Sequence, residues 1–207
     1  WYRKETDGIL RKSQISGLLG MDAPIINNGT MQDKGIELSA NWNDVIENGA
    51  LAGLNYTVGA YFDRSRNKLV NFGVVEKDGK EIREEGLPYN SYYMLDCIGV
   101  FATKEEIENA PKQFNDNTQP GDLRYRDVNN DGVIDNDDRV VIDGRYPGFE
   151  YGFNVSASWK GFDLSLLTQG VANKKFYING WGAQPFRQGS APTKEYVKNM
   201  WTEENPY

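Results

Sequence analysis

Between positions 127 and 138 the chain reads Asp-Val-Asn-Asn-Asp-Gly-Val-Ile-Asp-Asn-Asp-Asp, and the spacing of its oxygen atoms suits one kind of chemistry. Asp127, Asn129 and Asp131 occupy positions 1, 3 and 5 of a loop with EF-hand spacing, and Gly132 at position 6 permits a sharp turn. Val133 offers its carbonyl at position 7, Asp135 a direct or water-bridged oxygen at 9, and Asp138 closes the loop at 12. Hard oxygen ligands in this number suit Ca²⁺ better than Mg²⁺, which retains more of its water. Ile134 at position 8 is expected to anchor the loop on apolar neighbours. Asp rather than Glu at position 12 requires the backbone to approach more closely for bidentate closure. The flanks, Leu123–Arg126 and Arg139–Asp143, read as extended rather than helical, and the loop has no second copy. The expectation is a structural clamp and not a sensor. The same residues without metal would form an acidic loop held by Asx turns.

Little else in the chain offers chemistry. It has no His, which removes His-based triads and His metal sites, and Cys97 alone cannot form a disulfide within the chain or a thiolate zinc site. The acidic pairs Glu84-Glu85, Glu105-Glu106 and Glu203-Glu204 are adjacent in sequence, which does not place an acid and a base across a sugar. No phosphate-binding glycine pattern is present, and no enzyme activity is expected. The 23 basic against 30 acidic residues, a net charge of −7, argue against nucleic-acid binding. Tyr89, Tyr92, Tyr93, Phe101, Tyr146, Trp181 and Phe186 could stack on a ligand or form small loop cores. Trp181, between Gly180 and Gly182, is the residue expected to contact ligand. Cys97, in the strand-like run Tyr92–Phe101, is expected to be a small buried apolar residue.

The elements that must carry these groups are strands. Ile36, Leu38, Ala40 and Trp42 alternate with Glu37, Ser39, Asn41 and Asn43. Ala52, Leu54, Tyr56, Val58, Ala60 and Phe62 form a second apolar set, and Tyr151, Phe153, Val155, Ala157 and Trp159 a third. Phe162, Leu164, Leu166 and Thr168 form the fourth. Each stretch has about the 9 to 11 residues that a tilted strand needs to cross a hydrocarbon layer. Lys160-Gly161 predicts a two-residue hairpin pairing Trp159 with Phe162, and Asn48-Gly49 a short turn. Residues 63–148 separate the second and third strands. Alternation alone fits a soluble sandwich equally well. Short turns at one end with a long loop at the other, and a polar face of Gly, Ser, Asn and Thr, favour a membrane barrel. Thr103–Glu106 reads as a capping box for a short helix ended by Pro111. Pro192-Thr193 opens a second helix with Tyr196, Val197, Met200 and Trp201 on one face.

Three phrases resemble one family. Asn28–Ser39 (Asn-Gly-Thr-Met-Gln-Asp-Lys-Gly-Ile-Glu-Leu-Ser) is similar to a strand of TonB-dependent outer-membrane receptors, with Asp33 where Asn is usual. Pro120–Asp135 and Pro147–Ser165 look like the SusC/RagA-type branch, and the opening Trp1–Leu10 is similar to one of its barrel strands. The resemblance implies an all-β chain: antiparallel strands of a transmembrane β-barrel, late in that barrel, with a long extracellular loop and short helices. It implies barrel strands and a short periplasmic turn in 1–62. An extracellular loop with the calcium-type site is expected in 63–148, and a barrel hairpin followed by loop and helix in 149–207. It implies import of oligosaccharides or peptides across the cell outer membrane, with a SusD-like surface lipoprotein and the TonB complex as partners and the lipid bilayer as surroundings. Starting at Trp1 and stopping at Tyr207, the chain is expected to be a piece of a longer protein, not transport-competent alone. The rival reading is a soluble calcium-stabilised β-rich domain that binds carbohydrate or protein.

Overall fold

The computed structural model describes residues 1–13, 15–16, 18, 20–180 and 182–205. In chain order its elements are β1 (Tyr2–Lys12), β2 (Ile25–Ile46), β3 (Leu54–Asn71), β4 (Glu76–Asp78), β5 (Glu81–Arg83), β6 (Ser91–Leu95) and β7 (Cys97–Val100). There follow α1 (Lys104–Glu108), β8 (Leu123–Tyr125), β9 (Arg139–Ile142), β10 (Phe149–Trp159), β11 (Phe162–Ala172) and α2 (Lys194–Asn199). No helix among the described residues is long and apolar enough to cross a membrane.

The chain divides into two units. The first, Trp1–Tyr92 with Asp143–Lys175, holds an open antiparallel sheet in the order β1-β2-β3-β10-β11. Its hairpins follow from their turn residues. Lys160 and Gly161 both take positive φ, 49° and 86°, the pair of values a two-residue turn needs to match the right-handed twist, and Trp159 pairs with Phe162 as expected. Between β2 and β3 the turn closes through the Gly53 N–H donating to the Ile46 carbonyl at 2.7 Å.

The register sorts side chains into rows. Trp42, Val58, Val155 and Leu166 stand in one row, and Leu38, Phe62, Tyr151 and Gly170 in another on the same face. The opposite face carries Asn41, Gly59, Asn154 and Leu167, then Asn43, Thr57, Ser156 and Ser165. On the apolar face Leu38, Trp42, Phe153, Phe162, Leu164 and Leu166 are each more than half exposed. The buried apolar side chains of this unit lie beyond these rows: Leu69, Phe72, Ile82 and Tyr92. There the Leu69 N–H donates to the Leu87 carbonyl, and the Gly86 N–H to that of Leu69.

Two of the strands are longer than their alternation implies. β2 begins at Ile25 and β3 continues to Asn71, through the 62/63 boundary at which the loop was expected to start. The added residues are largely charged or polar on both faces, among them Asp33, Lys34, Asp63, Arg64, Arg66 and Lys68, so no apolar period marks them.

The second unit comprises Tyr93–Ile142 and Phe176–Tyr207. β7 pairs with β8, and the expected extended flanks of the acidic loop are β8 and β9. Among its described residues Phe101 and Ile134 are fully buried apolar ones, so Ile134 is removed from solvent as its position in the loop implies. Three expectations are corrected. Cys97 is exposed, not buried, because the run it lies in breaks at Asp96 and the β7–β8 register slips between Cys97 and Gly99. The capping box at α1 is only half formed: Thr103 accepts from the Glu106 N–H, but Glu106 turns back to the Ala102 N–H at 2.8 Å. Finally, α2 stops at Asn199; Met200 is extended, so Met200 and Trp201 do not continue a helical face.

Candidate functional site

The two faces of the β2-β3-β10-β11 sheet are one candidate site. On the apolar face Phe62, Phe149, Tyr151 and Phe153 form a chain of ring contacts with centroid distances of 5.6, 6.0 and 6.2 Å. At the turn end Trp159 donates from Nε1 to the Ala52 carbonyl at 3.1 Å, with the Lys160 ammonium 4.4 Å from its ring centre. Aromatic rings therefore stand at both ends of the apolar rows. A strand such as β10 is roughly 35 Å long; tilted by about 40°, it spans about 25 Å, the height of a barrel's apolar band. The opposite face is lined mainly by small and amide side chains, with Tyr61 and the exposed Leu167 among them. Asn41 and Asn154 converge above Gly59, where a Cβ would lie 2.3 and 2.2 Å from their Oδ1 atoms, and Tyr61 covers Gly152 in the same way. Glycine in these strands makes room for its cross-strand neighbours.

The acidic loop is the second candidate. Asp127 accepts from the Asn130 and Gly132 N–H groups at 2.7 and 2.9 Å, Asn129 from the Asp131 N–H, and Asp131 from the Val133 N–H. Asn130 and Gly132 adopt positive φ, 60° and 86°, which coils the backbone around these side chains. Asp138 is fully buried and accepts from the Asp135 and Val128 N–H groups at 2.8 and 2.7 Å. Those bonds hold its carboxyl below the usual carboxylate range. Lys112 bridges Val133: its N–H donates to the Gly132 carbonyl and its carbonyl accepts from the Ile134 N–H at 2.7 Å. The loop is thus a closed turn at the expected spacing, with its carboxylates directed to backbone N–H groups. Among the described residues no three acidic, His or Cys side chains gather closely enough to hold an ion.

Trp181 lies outside the described residues. Of the other aromatics, Tyr92 and Phe101 are buried, whereas Phe186 is largely exposed. Tyr89 and Tyr92 each lie beside a guanidinium, Arg83 at 5.5 Å and Arg145 at 5.2 Å from the ring centres, and Arg83 also pairs with Glu76 at 2.9 Å. Sequence reasoning missed this cation–aromatic packing and the charged rows at the far ends of β2 and β3. The signal for the latter was present as the period-two run Arg64, Arg66, Lys68.

No protein-family model matches the chain. TonB-dependent receptor P26 of Formosa agariphila is 26% identical to it over 218 residues, covering 100% of this chain and 21% of the receptor. TonB-dependent receptor P3 of the same organism is 24% identical over 217 residues, covering 99% of this chain and 21% of that protein. The chain is similar to TonB-dependent receptors over its whole length. It spans about a fifth of the length of the curated relatives it matches. Among solved structures, the RagAB peptide importer in its open-open state superposes with a TM-score of 0.67 at 22% identity, covering 99% of this chain and 22% of that one. A structure of the RagAB peptide transporter gives 0.63 with the same coverage. These two likenesses concern the fold.

Proposed function

We propose that this chain forms part of the wall and outer loops of a TonB-dependent importer in the cell outer membrane, taking up oligosaccharides or peptides. The observation that carries the reading is the two-faced sheet: apolar rows that the described chain leaves uncovered, bounded by aromatics, back to back with rows made mostly of Asn, Ser, Thr and Gly. In a barrel the first face meets acyl chains and the second lines the lumen. The uncovered apolar area would be a liability in water and is matched in lipid. The importer would work with a SusD-like surface lipoprotein and draw energy through the TonB complex, both engaging the longer protein. Spin labels at Phe153 and Leu166 of the full-length protein in vesicles are expected to be relaxed by an oxygen-type, lipid-soluble agent, and labels at Asn154 and Ser156 by a water-soluble one. Labels at Phe153 and Leu166 that report a protein core, as in a soluble β-domain, would sink the reading.

From the spacing of its oxygens we also propose a structural Ca²⁺ role for the acidic loop within this assembly. Asp127, Asn129, Asp131, the Val133 carbonyl, Asp135 and Asp138 have the spacing to hold the ion, but their carboxylates would first have to turn from the backbone N–H groups they now accept from and draw together; Gly132 and buried Ile134 suit such a loop. Bound calcium would supply the cross-link that a thin loop core lacks. Thermal stability is expected to fall on chelation and with Asp131→Ala; a melting temperature indifferent to both would leave only the metal-free turn.

A further inference from the structure

The charged ends of β2 and β3 are not random in register. Arg3 of β1 pairs with Lys34 of β2, and Lys34 pairs with Arg66 of β3, so three cations stand side by side on adjacent strands. Arg64 lies opposite Ile36, and Lys68 lies opposite Gln32. By strand alternation all five project from the face that carries Leu38, Phe62 and Tyr151, immediately beyond the aromatic end of the apolar rows. All five are exposed. The one ion pair among them in the described residues is Arg3 with the Glu5 carboxylate at 3.4 Å, itself on this face. The opposite face at this height carries an acidic row, Glu37, Asp63 and Glu150, with Lys4 opposite Asp33 as its cation.

Like charges directly opposed across strands cost stability unless something outside the sheet compensates them. Strands are about 4.8 Å apart and same-face residues about 7 Å apart along a strand, a spacing at which neighbouring cations can share one phosphate. Guanidinium forks bind phosphate oxygens in pairs of parallel hydrogen bonds. The patch also stands where the headgroup layer meets the apolar rows. We propose that Arg3, Lys34, Arg64, Arg66 and Lys68 form a binding site for phosphate-bearing lipid headgroups at the rim of the wall. The inference rests on the membrane-wall reading above and adds a lipid class to it. Position favours lipid over an acidic protein, because Arg64 is only two residues beyond Phe62 on the same face.

The test uses the full-length protein in phosphatidylcholine nanodiscs doped with phosphatidylglycerol, with co-retained lipid counted by native mass spectrometry after release into detergent. Preference for phosphatidylglycerol is expected to fall roughly fivefold per charge removed in Lys34→Gln, Arg64→Gln and Arg66→Gln. Lys4→Gln, a cation on the opposite face, is expected to leave it unchanged. A triple variant with unaltered preference, or an equal loss in Lys4→Gln, overturns the proposal. So does full displacement of the lipid by inorganic phosphate, which would mark a free-anion site. A triple variant that keeps its lipid but loses a surface lipoprotein would make the row a protein contact, again overturning it. The single variant Arg66→Gln gives an independent sign: its melting temperature should rise in neutral detergent, as repulsion is relieved, and fall when phosphatidylglycerol is present. No crossing of sign overturns the proposal. Quenching of Trp42 by brominated acyl chains in the same discs separates the two levels. If quenching is lost, the wall reading fails; if it persists without lipid preference, only the headgroup site fails.

Discussion

The sheet β2-β3-β10-β11 and the loop segments use opposite means of holding together. In the wall the side chains of the apolar rows stay exposed, and order comes from a continuous ladder with cross-strand neighbours fitted around Gly59 and Gly152. In the loops, Leu69, Phe72, Ile82 and Tyr92 in the first unit and Phe101 and Ile134 in the second are buried by their own surroundings. The difference teaches where each region finds its apolar partner: the loops carry theirs in the chain, whereas the apolar rows of the sheet meet none among the described residues.

The largest effect should come from removing a loop core residue. Phe101→Ala deletes a side chain with no exposed surface and is expected to cost about 3–5 kcal/mol. Hydrogen exchange should report the loss at Gly121, whose N–H donates to the Phe101 carbonyl. Amides from Leu54 to Phe62 should keep their protection; equal loss there would break the separation of the two regions. Next comes the wall itself. In a bilayer Leu166→Arg is expected to cost about 2–4 kcal/mol, against little for its neighbour Ser165→Arg on the other face. Measured by refolding into vesicles, equal costs at both positions would mean the faces are not solvated differently. The smallest effect concerns Glu85, whose carboxylate accepts from the Phe72 and Gly73 N–H groups at 2.7 and 2.8 Å and is held below its ordinary range by them. A depressed folded pKa means stability that is present above the unfolded value, about 4.3, and lost as pH falls through the folded one. Glu85→Gln should flatten that acid limb, read as the pH dependence of the melting temperature; an unchanged limb would remove this carboxylate from the loop's support.

The wall was the more legible region. The period-two sets and the Lys160-Gly161 turn are strong local signals, and they specify the face and register of β10 and β11 without any tertiary contact. The extensions of β2 and β3 were not legible, because strands with polar groups on both faces have no hydrophobic period; pairing, not patterning, creates them. Cys97 was misread because an apolar run suggests burial, whereas a break at Asp96 and a slipped register leave it in solvent. In the acidic loop, the position of each oxygen and the burial of Ile134 follow from the spacing. The choice of backbone N–H groups as partners depends on coiling at Asn130 and Gly132, which spacing alone does not specify.

From Ile46 opposite Leu54 to Met31 opposite Leu69 the β2–β3 pairing runs without a shift, and the first irregularity comes only at Thr30. The ladder crosses the end of the apolar rows with no joint there. The far ends of β2 and β3 are therefore carried on a ladder continuous with the apolar rows, and the first break in its pairing lies beyond them, at Thr30. Bending at Thr30 would leave the register of the apolar rows untouched, while a tilt of those rows would carry the far ends of β2 and β3 with it as one lever.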